Sequence, residues 1–279
     1  MRRLALLVLL VLLAGCSSKA KPNATGSQSS SASVGPSATS GASLSPRATP
    51  DRSATSAAPG VTASTRSTSK PKVVGAGAVV PAPGTYHYTQ HGSIQAGPLG
   101  SNADPQGTLA LGAPIADSGG ERQTQQRVYS SSWSQEQVLV FHSNAAYLKS
   151  VTTRLGSGGF VQEQTCTPSH PLKVIVLPLK VGDSWSDQAT CNGRTLTVHG
   201  SVLRTETRTV GGTSVTTDVV EIKTTQTGNG YNLSVDLTMW IAPKYGLSVH
   251  STQTGSGTAQ GFAFNENLTE DLVRLTPDP

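Results

Sequence analysis

Few residues of this 279-residue chain are spaced as catalytic or metal-binding groups usually are. The Gly-x-Ser-x-Gly elbow of serine hydrolases is not matched, because Leu155-Gly156-Ser157-Gly158-Gly159 has the wrong spacing. His87 and His91 are four residues apart, which on a strand separates them by roughly 13 Å, too far for one metal ion. Neighbouring carboxylates such as Glu270 and Asp271 are better explained as solvated loop charges. We therefore predict no metal, no cofactor and no enzymatic activity.

Two of the three cysteines, Cys166 and Cys191, lie in the C-terminal part of the chain. An exported protein meets an oxidising compartment, so we predict a disulfide between them. A closed loop of about 25 residues contributes roughly 3 kcal/mol in the chain-entropy model. The alternative is a metal-binding or catalytic pair of thiols, for which the sequence offers no histidine at ligand spacing.

The remaining cysteine, Cys16, ends an apolar segment at the amino terminus. Arg2 and Arg3 precede an unbroken apolar run at residues 4–14, which is typical of an export signal. An eleven-residue helix covers only about 16 Å, whereas a hydrocarbon core is about 30 Å thick. A permanent transmembrane helix is therefore not expected here.

Leu13-Ala14-Gly15-Cys16 resembles the lipobox of bacterial lipoproteins. The resemblance covers residues 1–16 and implies a signal peptide at residues 1–15, a diacylglyceryl thioether on Cys16 and often a further acyl chain, such as palmitate, on the new amino terminus. Two or three acyl chains anchor a protein stably, whereas one binds only marginally. The implied location is the extracytoplasmic face of the cell membrane. The alternative is an ordinary cleaved signal with an incidental cysteine.

Residues 16–80 have the composition of a disordered linker that starts at the lipidated cysteine. From residue 17 to residue 80, 47 of 64 residues are Ser, Thr, Ala, Pro or Gly, and none is aromatic. Such a segment cannot bury enough apolar surface to offset its ordering entropy. Residues 1–80 carry nine Lys or Arg and one Asp, whereas residues 81–279 carry twelve Lys or Arg and fifteen acidic residues. The basic charge therefore does not favour a nucleic-acid-binding domain.

Residues 81–279 hold every aromatic residue and have the size of one domain. The apolar residues of this domain recur with a period of two, most clearly at residues 232–241, where alternate side chains share one face. Similar runs occur at 85–90, 127–132, 137–142, 146–155, 160–165, 172–178, 196–209, 214–227, 247–254, 261–266 and 271–275.

The connections between these runs are short and rich in turn residues. Asn192-Gly193 and Gly211-Gly212 are examples of tight hairpin turns, and such turns join antiparallel strands. Residues 144–155 come nearest to a helical pattern, but their tyrosine, valine and threonine content favours a strand. We predict an all-β domain, built as a curved antiparallel meander sheet or a partly open barrel.

Two motifs resemble landmarks of uncharacterised β-rich bacterial envelope lipoproteins. They are the Leu-Pro-Leu-Lys-Val-Gly-Asp-Ser-Trp segment at residues 177–185 and the Trp-Ile-Ala-Pro-Lys-Tyr-Gly-Leu segment at residues 240–247. The resemblance implies a curved antiparallel sheet and no particular activity. The motifs also have a structural interpretation, in which Pro and Gly make turns while Trp185 and Trp240 fill the core. The alternative is a binding role.

Three functions are compatible with this organisation. The first is a membrane-anchored extracytoplasmic lipoprotein that binds an apolar or lipid ligand through Leu233, Val235, Leu237 and Met239. The second is a structural or protein-interaction domain of the cell envelope, whose partner would be an envelope protein. The third is a hydrolase whose catalytic residues come from distant strands. A solvent-open cavity lined by the four apolar residues would favour the first, and a filled core the second.

Overall fold

The structure, a computed structural model, describes residues 70–75, 78–157 and 159–278. The predicted signal peptide, Cys16 and most of the predicted linker lie outside the described residues. Within these ranges no helix has the length and apolar character needed to cross a membrane.

The described residues form an all-β structure, as predicted, and seventeen strands account for most of them. The strands are β1 Lys72–Val74, β2 Ala78–Val80, β3 Gly84–Ala96, β4 Leu99–Asn102, β5 Gln106–Leu111, β6 Ile115–Asp117, β7 Gly120–Ser130, β8 Trp133–Phe141, β9 Ala145–Ser157, β10 Phe160–Cys166, β11 Leu172–Val176, β12 Ser184–Cys191, β13 Arg194–Val210, β14 Thr213–Gly228, β15 Tyr231–Ala242, β16 Leu247–Ala259 and β17 Phe262–Leu272. The run at residues 232–241 is confirmed as β15, and residues 144–155 fall almost wholly within β9.

One large antiparallel sheet contains all strands except β1 and β2. Its strands follow the order β10, β9, β8, β7, β5, β3, β17, β16, β15, β14, β13 and β12, while β11 pairs with β9, β4 with β3 and β6 with β7. Most neighbours in this order are joined by short hairpins, which is the predicted meander. At residues 192–193, Asn192 has a φ of 52° and Gly193 a φ of 75°, as a two-residue hairpin turn requires.

The sheet curves until its two edges nearly meet, so it forms a barrel with one unsealed seam. At the seam β11 lies beside β12 without a continuous hydrogen-bonded ladder. Side chains bridge it instead: the indole Nε1 of Trp185 donates to the carbonyl oxygen of Val174 at 3.2 Å. The backbone N–H of Lys173 donates to the Asp187 carboxylate at 2.7 Å. These contacts satisfy backbone groups that a closed ladder would otherwise pair.

A disulfide crosses the same seam, and the predicted bond between Cys166 and Cys191 is confirmed. It connects the last residue of β10 to the last residue of β12. Beside it, the backbone N–H of Ser169 donates to the carbonyl oxygen of Thr190 at 2.8 Å. The disulfide therefore holds β10 against the opposite edge of the sheet.

The antiparallel ladder gives the barrel two ends, and each end carries different connections. We call one the hairpin end: it contains the turns at residues 211–212 and 243–246 together with the hairpin of β1 and β2. We call the other the serine end: it contains the turns at residues 131–132 and 260–261. The two ends lie at opposite extremes of the same strands.

The hairpin of β1 and β2 extends the folded part beyond the predicted boundary at residue 81. All three residues of β2 are buried, although the composition of this segment predicts disorder. Gln123 Nε2 donates to the carbonyl oxygen of Pro81 at 3.1 Å, and the ammonium group of Lys72 pairs with the Glu121 carboxylate at 2.5 Å. Burial of valine side chains against the barrel provides the free energy that the segment cannot gain alone.

Candidate functional site

The four apolar residues predicted to hold a ligand lie on the inward face of β15. Leu233, Val235, Leu237 and Met239 are all buried and belong to the continuous hydrophobic core. None of the four lines either of the two pockets described below. The apolar face therefore packs against other core side chains at these positions.

The barrel interior also contains buried polar and charged side chains, which sequence reasoning missed. On β7 the inward positions are Gln123, Gln125 and Arg127. The guanidinium of Arg127 forms an ion pair with the carboxylate of Glu270 on β17, so the interpretation of Glu270 as a solvated loop charge was wrong. A strand whose inward residues are polar still shows alternation along its sequence. Alternation alone does not show which face of the strand is buried.

The buried ion pair is supported by further contacts. The hydroxyl of Ser251 donates to the second oxygen of Glu270 at 3.1 Å. The guanidinium of Arg127 lies 4.5 Å from the centre of the Tyr88 ring, a distance typical of a cation–π contact. Burial raises the pKa of Tyr88 to about 12. The arrangement neutralises both charges inside the barrel.

Glu266 lies four residues before Glu270 on the same inward face of β17. Burial raises the pKa of Glu266 to about 8; the neighbouring amide of Gln253 opposes that rise, and the charge of Glu270 adds to it. Glu266 is therefore mostly protonated at neutral pH. A protonated carboxyl is a possible general acid, but neither pocket is lined by Glu266 or by Glu270.

Two of the histidines in the described residues each lie within hydrogen-bond distance of one carboxylate. Nε2 of His87 lies 2.8 Å from the carboxylate of Asp278, and Nδ1 of His250 lies 2.7 Å from that of Asp271. Within residues 70–75, 78–157 and 159–278, no group of three or more His, Cys, Asp or Glu side chains is arranged to hold a metal ion.

The two motif tryptophans differ in position. Trp185 is buried in the core against Gly200, where an added Cβ would lie 2.1 Å from the indole ring. Trp240 is only half-buried and lies on the outer face of β15, with the guanidinium of Arg208 4.7 Å from its ring centre. The expectation that both tryptophans fill the core is met in full only by Trp185.

A groove of about 750 Å³ lies at the hairpin end. We call it the hairpin groove; its lining consists of Lys70, Pro71, Val73, Val79, Thr213, Ser214, Val215, Thr216, Ala242, Pro243, Lys244 and Tyr245. Its residues come from the hairpin, from the start of β14 and from the turn after β15. The volume lies within the range of about 300–1,000 Å³ that is common for ligand pockets.

The hairpin groove combines apolar walls with positive charge. Its only charged lining residues are Lys70 and Lys244, and neither forms an ion pair with a residue that the structure describes. The ammonium group of Lys244 lies 5.5 Å from the centre of the Tyr245 ring. Residues 242–245 belong to the second sequence motif, so part of that motif lines the groove.

A second pocket of about 860 Å³ lies at the serine end. We call it the serine pocket; its lining consists of Ser93, Ile94, Gln95, Pro98, Gly100, Ser101, Asn102, Ser131, Ser132, Gly156, Ser157, Gly159, Phe160 and Val161. No local sequence pattern predicts this pocket, because its residues come from β3, β4, the turn after β7 and the region of the β9–β10 connection.

No family model and no curated protein matches this chain. Two solved structures are similar to it, each at 10% sequence identity. One, from Bacteroides fragilis, is described as a candidate exported protein with a YmcC-like fold; the match covers 74% of this chain and 97% of that chain, with a TM-score of 0.39. The other, from Parabacteroides distasonis, is described as a candidate lipoprotein; the match covers 70% of this chain and 95% of that chain, with a TM-score of 0.37.

Proposed function

We propose that the protein is a membrane-anchored extracytoplasmic lipoprotein whose β domain binds an anionic amphiphile in the hairpin groove. The apolar run at residues 4–14, the lipobox and the linker support the anchoring. The observation that carries the binding role is the groove itself, in which apolar walls meet Lys70 and Lys244, neither of which pairs with a carboxylate that the structure describes. The ligand class is thus a molecule with an apolar chain and a carboxylate or phosphate group.

Each part of such a ligand has a matching surface in the hairpin groove. Val73 offers exposed apolar surface, while Val79 and Val215 are nearly buried in the groove wall, and burial of a hydrocarbon chain there is worth about 25 cal/mol per Å². Lys70 and Lys244 supply ammonium groups for the anionic head. Exposed ion pairs contribute only about 0.2–1 kcal/mol each, so the apolar contacts supply most of the affinity.

The groove also lies at the point where the linker joins the domain. Lys70 is its first lining residue along the chain, and the linker runs from there back to Cys16. The proposed lipid anchor on Cys16 supports a lipid as the source of the amphiphile.

We propose binding rather than catalysis because of what the pockets lack. Neither the hairpin groove nor the serine pocket is lined by a His, Asp, Glu or Cys side chain. A hydrolase would need a base or a metal-bound water close to its substrate. The lysine and serine residues of the groove have no such partner among its lining residues.

The test uses the full chain secreted with Cys16→Ser, so that no lipid is attached. Oleate and methyl oleate share one hydrocarbon chain and differ in charge, and each is titrated by isothermal calorimetry. We expect saturable binding of oleate, and weaker binding of methyl oleate. Replacement of both Lys70 and Lys244 by alanine should weaken oleate binding three- to tenfold, which corresponds to about 0.7–1.4 kcal/mol.

The matched control is Lys180→Ala, which removes an exposed lysine that does not line the groove. Its oleate affinity should remain within twofold of the parent chain. Absence of saturable oleate binding contradicts the proposal. Equal affinities for oleate and methyl oleate would show that the two lysines do not select the ligand.

A second candidate is an interaction domain of the cell envelope. The observation that favours it is the packing of Leu233, Val235, Leu237 and Met239 in the core, because a filled interior leaves no ligand cavity behind β15. Crosslinking of the lipidated chain in its native envelope tests this candidate. A specific protein partner, together with failure of the oleate titration, would favour interaction over ligand binding.

A further inference from the structure

The serine pocket is chemically unlike the hairpin groove. Among the residues that the structure describes, its lining contains no Asp, Glu, Lys, Arg or His side chain, although its volume is about 860 Å³. An ion that entered it would lose hydration without gaining an opposite charge, which is costly. The pocket therefore suits a neutral ligand.

Its lining is nevertheless polar, because hydroxyl and amide groups surround it. Serines 93, 101, 131, 132 and 157 line the pocket together with Gln95 and Asn102. A serine hydroxyl can donate one hydrogen bond and accept two, and a primary amide can both donate and accept. A ligand rich in hydroxyl groups offers the same combination, so it can replace the water that these groups bind.

Two of the lining hydroxyl groups, those of Ser101 and Ser132, are ordered by each other and by Ser130, which does not line the pocket. The Ser101 hydroxyl oxygen lies 2.8 Å from that of Ser130 and 2.9 Å from that of Ser132. The backbone also fixes this region, since the N–H of Gly156 donates to the carbonyl oxygen of Ser132 at 2.8 Å. Polar groups that are held in place lose little entropy when they bind a ligand.

An exposed aromatic ring stands at the rim of this polar surface. Phe160 is 59% exposed, and its neighbour Val161 is also exposed. A phenyl ring in water is unfavourable unless something covers it, and the apolar C–H face of a sugar ring is a flat surface of similar size. Hydroxyl partners beside an exposed ring therefore match the two kinds of surface that a saccharide has.

We propose that the serine pocket binds a neutral oligosaccharide, with its sugar rings on Phe160 and its hydroxyl groups on the serine-rich wall. A volume of about 860 Å³ gives room for more than one sugar unit. The site lies at the end of the barrel opposite the linker attachment. The protein would then hold an envelope glycan at one end and an amphiphile at the other. Either proposal can be wrong without affecting the other.

The experiment measures binding of cellotetraose and of tetra-N-acetylchitotetraose, which are both neutral, to the full chain secreted with Cys16→Ser. Tetragalacturonate serves as the anionic comparison. We expect saturable binding of at least one neutral tetrasaccharide and weaker binding of tetragalacturonate. Phe160→Ala should weaken the bound neutral sugar at least tenfold, and Ser132→Val at least threefold.

Phe262→Ala is the matched control, because Phe262 is 56% exposed at the same end of the barrel but does not line the pocket. Its sugar affinity should stay within twofold of the parent chain. Since both phenylalanines are exposed, neither substitution should change the thermal unfolding temperature. The proposal is overturned if no neutral tetrasaccharide binds, if tetragalacturonate binds more tightly, or if Phe262→Ala weakens binding as much as Phe160→Ala.

Discussion

The two ends of the barrel are built on the same strands and yet present opposite chemistry. In the part of the chain that the structure describes, the hairpin groove has apolar walls and two lysines without a carboxylate partner, whereas the serine pocket has many hydroxyl groups and no charged lining residue. The strand ladder is continuous between them, so the difference arises in the connections and in the added hairpin of β1 and β2. A meander barrel can therefore carry two independent sites without any change in its sheet.

The core of the barrel lies between these two ends, and both ends are built on the strands that enclose it. Its central polar feature is the ion pair of Arg127 and Glu270, which lies on β7 and β17. If this pair is lost, both ends should be affected together. Changes near one end should affect only that end.

The largest effect is expected for Arg127→Met, which leaves the Glu270 carboxylate buried without its partner. Breaking a buried ion pair in this way costs about 3–5 kcal/mol of unfolding free energy. Urea denaturation followed by tryptophan fluorescence measures the loss, and oleate and sugar binding should weaken in parallel. Arg122→Met is the control, because Arg122 lies on the outer face of the same strand. A loss below 1 kcal/mol for Arg127→Met would contradict the structural role of the pair.

Loss of the disulfide should affect the two ends unequally. Replacing Cys166 and Cys191 by serine removes a cross-link between positions 25 residues apart, which costs roughly 3 kcal/mol. Because β10 carries Phe160 and Val161, its loosening should weaken sugar binding more than oleate binding. Calorimetry with both probes on the double variant checks this. An equal loss at both ends would show that the disulfide does not act through β10.

The pH dependence of the unfolding free energy tests the buried Glu266 in the interior, which lines neither pocket. Because burial raises the pKa of Glu266 to about 8 from a model-compound value of 4.5, the folded state keeps a proton that the unfolded state releases between these values. Stability should therefore fall as the pH rises, by on the order of 3 kcal/mol from pH 5 to pH 8.

Glu266→Gln should remove most of this pH dependence, because the amide does not titrate. Glu221→Gln, at an exposed position of β14, should leave it unchanged. Unfolding free energies at pH 5 and pH 8 give the comparison. A parent chain that is equally stable at both pH values would argue against a buried, protonated Glu266.

The sheet could be predicted from the sequence because its signals are local. Alternation identified β15 at residues 232–241, and turn residues such as Asn192-Gly193 identified the hairpins. The pairing of Cys166 with Cys191 followed from their number and from the export signal.

The sites depend on information that no local pattern contains. Arg127 is buried because Glu270, 143 residues away, neutralises it, and a sequence pattern does not reveal such a partner. The strands β1 and β2 have three residues each and are stabilised by the barrel rather than by their own composition. Lys70 and Lys244 come from distant segments and meet only in the folded groove.

Hydrogen exchange with mass spectrometry on the chain secreted with Cys16→Ser distinguishes two sites of opposite chemistry at opposite ends of the barrel. Oleate and the neutral tetrasaccharide that binds best are added in separate experiments. Oleate should slow exchange at residues 213–216 and 242–245, and the sugar should slow exchange at residues 93–102 and 156–161. Protection of the same segments by both probes, or of neither set, would contradict the presence of two such sites.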